Sequence, residues 1–189
     1  MSAIEPVDLP RAYLLLNHGP TVLVTSAHGA ERNVMAAAWA MPLDFSPPKM
    51  LVVVDKNTWT RELIEASGEF ALCIPSRAQA HATLQVGSHS GRDEDKFQAS
   101  GLTTFAASKI GAPLIEGCLG WLECKVIPEP HNQQAYDLFI GEVVAAWAAP
   151  DVFSGNRWHF PADERRSVHY VAGGSFFATG EAFNVADPE

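Results

Sequence analysis

The stretch that most restricts how this chain can fold is ERNVMAAAWAMPLDFSPPKM, which runs from Glu31 to Met50. A helix is not expected to run into the consecutive prolines Pro47 and Pro48. An ordinary core strand would be rich in Val and Ile, whereas this one carries three consecutive alanines followed by a tryptophan. So many small side chains predict a place where another group lies close against the backbone.

Composition restricts the class of protein. The chain has 189 residues and is 47% hydrophobic, so we expect one domain over residues 1–189 with a sizeable core. The longest apolar runs are strand-sized, and the N-terminus lacks the apolar core of a secretory signal, so we expect a cytoplasmic protein without a membrane partner. The three cysteines form no CxxC pair and are expected to be reduced and mostly buried. A formal net charge of −9 makes nucleic acid an unfavourable partner.

Strand signals outnumber helix signals along the chain. Strands are predicted at PTVLVTSA, MLVVVDK, EFALCIPS, GCLGWLECKVIPE and AYDLFIGEVVAAWAA, the last two as an antiparallel pair. Helices are predicted at DLPRAYLLLNHG, TWTRELIEASG, RAQAHATLQVGS and GRDEDKFQASG. Residues 150–167 are expected to form a loop or arm, and VHYVAGGSFFATG a last short strand. The order predicts a mainly β protein, a barrel with helical decorations.

The alanine-rich strand is the first candidate binding site. Asn33 has an amide that can donate to and accept from a polar ring edge. Ala36, Ala37 and Ala38 would let a flat ligand reach the backbone, and Trp39 would supply an aromatic wall. The alternative is a tightly packed strand whose small residues face another element of the protein.

Two further stretches are candidates for an anion. Thr58 and Thr60 stand at a predicted helix start, where free N–H groups and the helix dipole suit a phosphate, although a threonine there is more commonly only an N-cap. In GSHSGRDEDKF, Ser90 and Gly91 offer hydroxyl and backbone donors. The cations of this stretch are four residues apart, so on one helix both would reach the same anion, and they are Arg92 and Lys96. The alternative is a solvated helix face whose charges balance one another.

Other site chemistries have little support in the sequence. The seven histidines show no HxH or HExxH spacing, so no metal site is predicted. No GxSxG motif accompanies the serines, and we identify no catalytic acid, base or nucleophile.

Taken together and in order, these stretches resemble the flavin reductase-like, FMN-binding split-barrel family, including flavoredoxin-type proteins. The resemblance runs over roughly residues 18–148, through NVMAAAWAMPLDFSPPKMLVVV, TWTRELIEASGEFALCIPS, VGSHSGRDEDKFQASGL, PLIEGCLGWLECKV and YDLFIGEVVAA. It implies a homodimeric, six-stranded split β-barrel that holds FMN at the dimer interface and takes hydride from NAD(P)H. An aromatic arm around Phe153, Trp158 and Phe160, which a lone barrel would leave partly exposed, favours the same homodimer.

The resemblance also implies which residues bind the cofactor. The residues that match the family's flavin strand, helix start and phosphate-side loop are Asn33, Val34, Met35, Trp39, Thr60, Ser90, Gly91, Arg92 and Lys96. Family members commonly have threonine or serine where this chain has alanine at 36–38, so some hydroxyl contacts would be replaced by backbone contacts. Tyr136 stands where many members have a histidine near the flavin; tyrosine can donate a hydrogen bond but carries no charge near neutral pH.

The implied function is that of an NAD(P)H-dependent flavin reductase or oxidoreductase that passes electrons to an acceptor, with a monooxygenase or other redox protein as a candidate partner. FMN would perform the hydride chemistry, which agrees with the lack of a recognisable acid–base set. The alternatives are a flavin-binding electron carrier with little NAD(P)H activity, and a split-barrel binding protein without the cofactor.

Overall fold

The computed structural model describes residues 3–185. The strands of this part of the chain are β1 (Glu5–Pro6), β2 (Val22–His28), β3 (Glu31–Ala37), β4 (Ala40–Phe45), β5 (Pro48–Val53), β6 (Glu69–Ile74), β7 (Thr104–Phe105), β8 (Leu114–Ile115), β9 (Gly120–Ile127), β10 (Leu138–Ala148), β11 (Phe153–Ser154), β12 (Arg157–Trp158), β13 (Val168–Ala172) and β14 (Ser175–Ala178). The α-helices are α1 (Trp59–Ser67), α2 (Ala80–Ser88), α3 (Lys96–Ser100) and α4 (Pro130–Tyr136). Single turns of 3₁₀ helix occupy Arg77–Gln79 and Asp163–Arg165, and a longer one occupies Leu9–Leu15.

One large antiparallel sheet forms the body of the protein, in the order β3-β2-β6-β9-β10-β5-β4, with β1 added beside the far end of β10. The sheet bends into a split barrel, and the predicted mainly β split-barrel class is confirmed. The barrel sheet has eight strands within residues 3–185, against the six expected. The eight include β4, which pairs with β5 at one end of the sheet, and the two-residue β1, which pairs with the end of β10.

The two long strands pair as the sequence predicts. β10 lies antiparallel to β9 from Ile140 opposite Ile127 to Ala148 opposite Gly120. Gly141 permits this close packing, because a Cβ there would lie 2.6 Å from the Phe70 ring. The absence of a side chain at Gly141 thus leaves room for the Phe70 ring of β6 in the barrel interior.

Helix α1 begins and ends where the sequence predicts. Thr58 caps its N-terminus, accepting a hydrogen bond from the backbone N–H of Arg61 at 3.3 Å. Gly68 ends the helix in the left-handed region with φ 71°. Leu63 and Ile64 are buried between these ends, so the helix packs its apolar face on the barrel.

The core formed by residues 3–185 contains one carboxylate. Glu123 on β9 is fully buried and accepts hydrogen bonds from the backbone N–H groups of Ser108 at 3.0 Å and Lys109 at 2.6 Å. The indole N–H of Trp147 donates a third, at 2.8 Å. These donors satisfy the carboxylate, which ties the connection between β7 and β8 to the sheet. All three cysteines are free and buried, as expected.

Three elements differ from the expectations. The opening helix is a 3₁₀ helix. The helix expected from Gly91 begins only at Lys96, because the Asp95 carboxylate caps it there by accepting from the backbone N–H groups of Phe97 and Gln98. The last strand is a hairpin, since Gly173 and Gly174 reverse the chain at positive φ.

The segment 150–167, expected as a loop or dimer arm, contains the β11–β12 hairpin and packs on its own barrel. The Trp158 indole N–H donates to the Leu14 carbonyl at 3.1 Å, and its ring stacks on Phe160. Phe153 is buried. Because these aromatic residues pack within their own chain, they do not support a homodimer. The single domain over 1–189 stays a prediction, and its first two and last four residues lie outside the described residues.

Among residues 3–185, no helix is long and apolar enough to cross a membrane.

Candidate functional site

A cavity of about 440 Å³ opens between the end of β3, helix α2 and the C-terminal hairpin formed by β13 and β14. Its volume falls in the range of small-molecule sites. The residues that line it are Thr21, Met35, Ala36, Ala37, Ala38, Trp39, Val53, Asp55, Thr83, Leu84, Gly87, Ser88, Tyr170, Val171 and Phe176. Five of them belong to the alanine-rich stretch that the sequence singles out.

The small residues of β3 have two neighbours. A Cβ added at Gly87 would lie 3.2 Å from the Cβ of Ala36, so α2 packs closely against the strand. This agrees with the alternative in which small residues face another element. The same residues also line the cavity. Beyond them Trp39 is 74% exposed, so it is not a core residue, and its indole stands at the cavity rim.

Three predicted site residues from three separate segments meet beside this strand. The amide nitrogen of Asn33 donates to the Thr60 hydroxyl at 2.9 Å, and both residues are buried. A Cβ added at Gly91 would lie 2.2 Å from the amide oxygen of Asn33, so the loop backbone rests on this side chain. The structure therefore joins β3, α1 and the loop after α2 at one point.

The other residues of the flavin-strand prediction divide between two environments. Met35 lines the cavity, whereas Val34 is fully buried in the core, as the alternation along a strand requires. Tyr136, at the end of α4, is exposed, lies outside the cavity lining and packs edge-on against His131. The tyrosine is therefore not part of the site within one copy of the chain.

Lys96 does not lie on a solvated helix face. Its side chain is buried, and its Nζ donates to the Val86 carbonyl at 2.6 Å, in the last turn of α2. Burial lowers the pKa of Lys96 from 10.5 to about 8, although the nearby Glu94 carboxylate opposes this change. A buried ammonium with a depressed pKa gains strongly from a nearby anion.

Arg92 precedes α3, so the expected convergence of Arg92 and Lys96 on one helix turn is wrong. Its guanidinium forms an ion pair with Glu62, donates to the Asn57 carbonyl at 3.2 Å and lies 5.3 Å from the centre of the Trp59 ring. The backbone of Arg92 donates to the hydroxyl of Ser90 at 3.2 Å.

Of the two threonines at the start of α1, Thr58 acts as the N-cap, as the commoner alternative holds, and also donates to the Asp55 carbonyl at 2.8 Å. The two hydroxyls are thus used within the protein, Thr58 for the cap and Thr60 for Asn33.

The C-terminal hairpin is the part of the site that the sequence did not indicate. Tyr170, Val171 and Phe176 line the cavity opposite β3, and the rings of Tyr170 and Phe176 are 5.3 Å apart, edge to face. The aromatic residues on either side of a glycine pair are the only signal that could have pointed to them. The link to the cavity depends on tertiary contacts.

The cavity carries one formal charge. Among its lining residues Asp55 is the only ionisable carboxylate, and no lysine or arginine is present. Asp55 is held by its neighbour, since its Oδ1 accepts from the backbone and side-chain N–H groups of Asn57 at 2.7 and 3.0 Å. Within residues 3–185, no group of three or more His, Cys, Asp or Glu side chains is arranged to hold a metal ion.

The fold and the cavity together define a split-barrel protein with a largely apolar cavity beside an edge strand. Residues 15–165 match the flavin reductase like domain family. The chain belongs to that family, which confirms the resemblance drawn from the sequence.

Known relatives cover nearly the whole chain. The uncharacterized protein YddH of Escherichia coli K12 is 47% identical over 184 residues, which is 96% of this chain and 97% of YddH. An NADH-dependent FAD reductase of Streptomyces globisporus is 29% identical over 87% of this chain and 94% of its own length. The crystal structure of an FMN-binding domain of a flavin reductases-like enzyme from Shewanella baltica is 50% identical, covers 98% of both chains and superposes with a TM-score of 0.95.

Proposed function

We propose that this protein binds FMN with the flavin ring in the cavity, takes hydride from NAD(P)H and passes electrons to an acceptor. The observation that supports this most strongly is the wall made by Ala36, Ala37 and Ala38. β3 is a terminal strand of the sheet within residues 3–185, so one row of its backbone groups has no strand partner. With no bulky side chain in front of them, these groups are available to the polar edge of a flat ring.

The residues present fit the ring end of a flavin. Met35, Val53 and Leu84 give the cavity apolar surface, and Trp39 adds an aromatic edge. Bound FMN would supply the hydride-accepting ring, and the protein would orient it and exclude water. The protein therefore needs no acid or base of its own for the arrival of hydride.

The phosphate end would lie outside the cavity, because the lining carries a carboxylate and no cation. The cations in the neighbouring loop region are Lys96, buried against α2, and Arg92, paired with Glu62. Gly91 brings this loop onto Asn33 and so next to the flavin strand. We infer that the loop with Ser90, Gly91, Arg92 and Lys96 holds the phosphate. A phosphate should stabilise Lys96 more than Arg92, because the Lys96 ammonium is buried.

The test is an absorbance spectrum of the purified protein, followed by addition of NADH or NADPH without oxygen. We expect flavin bands that bleach with one or both nucleotides. Protein that takes up no FMN in a titration would refute the proposal. Bands that persist with both nucleotides, but bleach with dithionite, would replace the reductase with the electron carrier.

We further propose a homodimer, for a reason other than the aromatic arm. β4 is the other terminal strand of the sheet, and its Met41, Leu43 and Phe45 are exposed on one face. An exposed apolar edge strand normally requires a cover. Trp39 joins this face to the cavity rim, so a second copy seated on β4 would also shield the open side of the cavity.

Light scattering should therefore give twice the mass of one chain. Leu43→Glu should give the mass of one chain and weaken FMN, whereas Val185→Glu, at another exposed apolar position, should do neither. A wild-type monomer that still binds FMN would contradict the dimer and leave the flavin site intact.

A further inference from the structure

The C-terminal hairpin lies outside residues 15–165, the part of the chain that matches the family domain. Its strands β13 and β14 pair only with one another in the described sheets. It nevertheless forms one complete wall of the cavity, through Tyr170, Val171 and Phe176. A segment added to the family domain thus shapes the space in which a ligand would lie.

The hairpin is anchored by hydrogen bonds at its base, and its tip lies close to α2. The Thr21 hydroxyl accepts from the backbone N–H of Tyr170 at 2.8 Å. His169 lies 2.9 Å through Nδ1 from the Gly19 carbonyl and 3.2 Å through Nε2 from the Thr179 hydroxyl. At the tip, a Cβ added at Gly174 would touch a methyl of Leu84 on α2 at 3.4 Å. The wall is therefore positioned before any ligand arrives.

The chemistry of the wall favours one kind of ligand. Tyr170 and Phe176 stand edge to face, 5.3 Å apart, so they present aromatic surface to the cavity. Asp55 is the only charged residue in the lining, and the whole chain carries −9, so a negatively charged ring is opposed both locally and at long range. An uncharged, planar ring meets neither obstacle.

We propose that the C-terminal hairpin is the specificity wall of the site, and that Tyr170 and Phe176 bind the face of an uncharged aromatic or quinoid compound that receives the electrons. This rests on the proposed function. With a quinone, the overall reaction takes one NAD(P)H and one proton and yields NAD(P)⁺ and the hydroquinone: the hydride brings two electrons and one proton, and solvent supplies the second proton.

The matched variants are Phe176→Ala and Phe177→Ala. The two residues are neighbours on β14, but Phe177 is 69% exposed and does not line the cavity. The matched probes are menadione, which is uncharged, and 1,4-naphthoquinone-2-sulfonate, which has a similar ring and a negative charge. Binding is measured by calorimetry on flavin-loaded protein with no nicotinamide present, so the readout does not depend on turnover.

Wild-type protein should bind menadione about tenfold more tightly than the sulfonate, and Asp55→Asn should reduce that preference. Phe176→Ala should weaken menadione by about tenfold and FMN by no more than about threefold, because the flavin ring is proposed to lie against β3 on the opposite side of the cavity. Phe177→Ala should change neither affinity by more than about twofold. Phe176→Leu, which keeps the apolar bulk without the ring, replaces the alanine variant if that variant does not fold.

Two results would overturn the proposal. Equal menadione affinities for the Phe176 and Phe177 variants would mean that the wall does not recognise the ring. A loss of FMN affinity as large as the loss of menadione affinity would mean that the hairpin covers the cofactor and does not select the acceptor. If wild-type protein binds no FMN, the proposed function fails, and the same comparison with menadione on flavin-free protein still decides whether the hairpin binds a ring.

Discussion

Binding of FMN at pH 8 should draw protons into the protein through Lys96. Burial lowers the pKa of this residue to about 8, so about half of the molecules carry a neutral amine at that pH. A phosphate beside the amine favours the ammonium form and raises its pKa. The phosphate itself is nearly all dianionic at pH 8, because its second pKa is about 6. Each FMN bound should therefore take up roughly half a proton.

The preference of the protein for FMN over riboflavin should also depend on pH. Between about pH 6.5 and 7.5 the ratio of FMN affinity to riboflavin affinity should change little, because Lys96 is mostly charged and the phosphate mostly dianionic. Above pH 8 the ratio should fall by about tenfold per pH unit, until the pH reaches the pKa of the complex. Riboflavin, which lacks the phosphate, supplies the reference for every change at the ring.

Lys96→Met keeps the buried stem without the charge and should abolish the proton uptake. A hydrogen bond to a charged group contributes about 1.5–3 kcal/mol, so FMN should weaken by about 10- to 100-fold while riboflavin is unchanged. Uptake is measured by calorimetry in two buffers with different ionisation enthalpies. Equal losses for FMN and riboflavin, with no proton uptake in the wild type, would mean that Lys96 only caps α2 through the Val86 carbonyl.

Three other perturbations have defined outcomes. Gly91→Ala should weaken FMN binding by about tenfold in a fluorescence titration, because the added Cβ would lie 2.2 Å from the amide oxygen of Asn33. Gly180→Ala should leave the Kd unchanged, because no heavy atom lies within 4 Å of its added Cβ. Glu62→Gln releases Arg92 from its ion pair and should tighten FMN by about two- to fivefold but not riboflavin, and an equal change for both flavins would exclude Arg92 from the phosphate site. Burial and a neighbouring histidine lower the pKa of His18 from 6.5 to about 4, so protonation of this ring favours the unfolded chain. The free energy of unfolding should therefore fall by about 2–3 kcal/mol as the pH falls from 6.5 to 4. In urea denaturation, His18→Gln should not show this decrease.

The sequence by itself determined the elements whose signals are local. Helix α1 follows from Thr58 before it and Gly68 after it, since a cap and a left-handed stop depend on a few adjacent residues. The pairing of β9 with β10 follows from two long apolar runs separated by a short polar segment. The sequence also identified the family, because five stretches in one order are specific although each stretch alone is not. The family in turn indicated the alanine-rich strand as the candidate flavin strand.

Only the tertiary structure decided which side chains meet. Asn33 and Thr60 lie 27 residues apart in sequence and share a hydrogen bond, and Gly91 reaches them from a third segment. The spacing of Arg92 and Lys96 suggested one helix face, but Asp95 starts the helix between them, so one cation is buried and the other pairs across to α1. The hairpin with Tyr170 became part of the cavity through contacts with residues about 150 positions earlier. Such contacts depend on how the barrel closes, and no local pattern of residues encodes that closure.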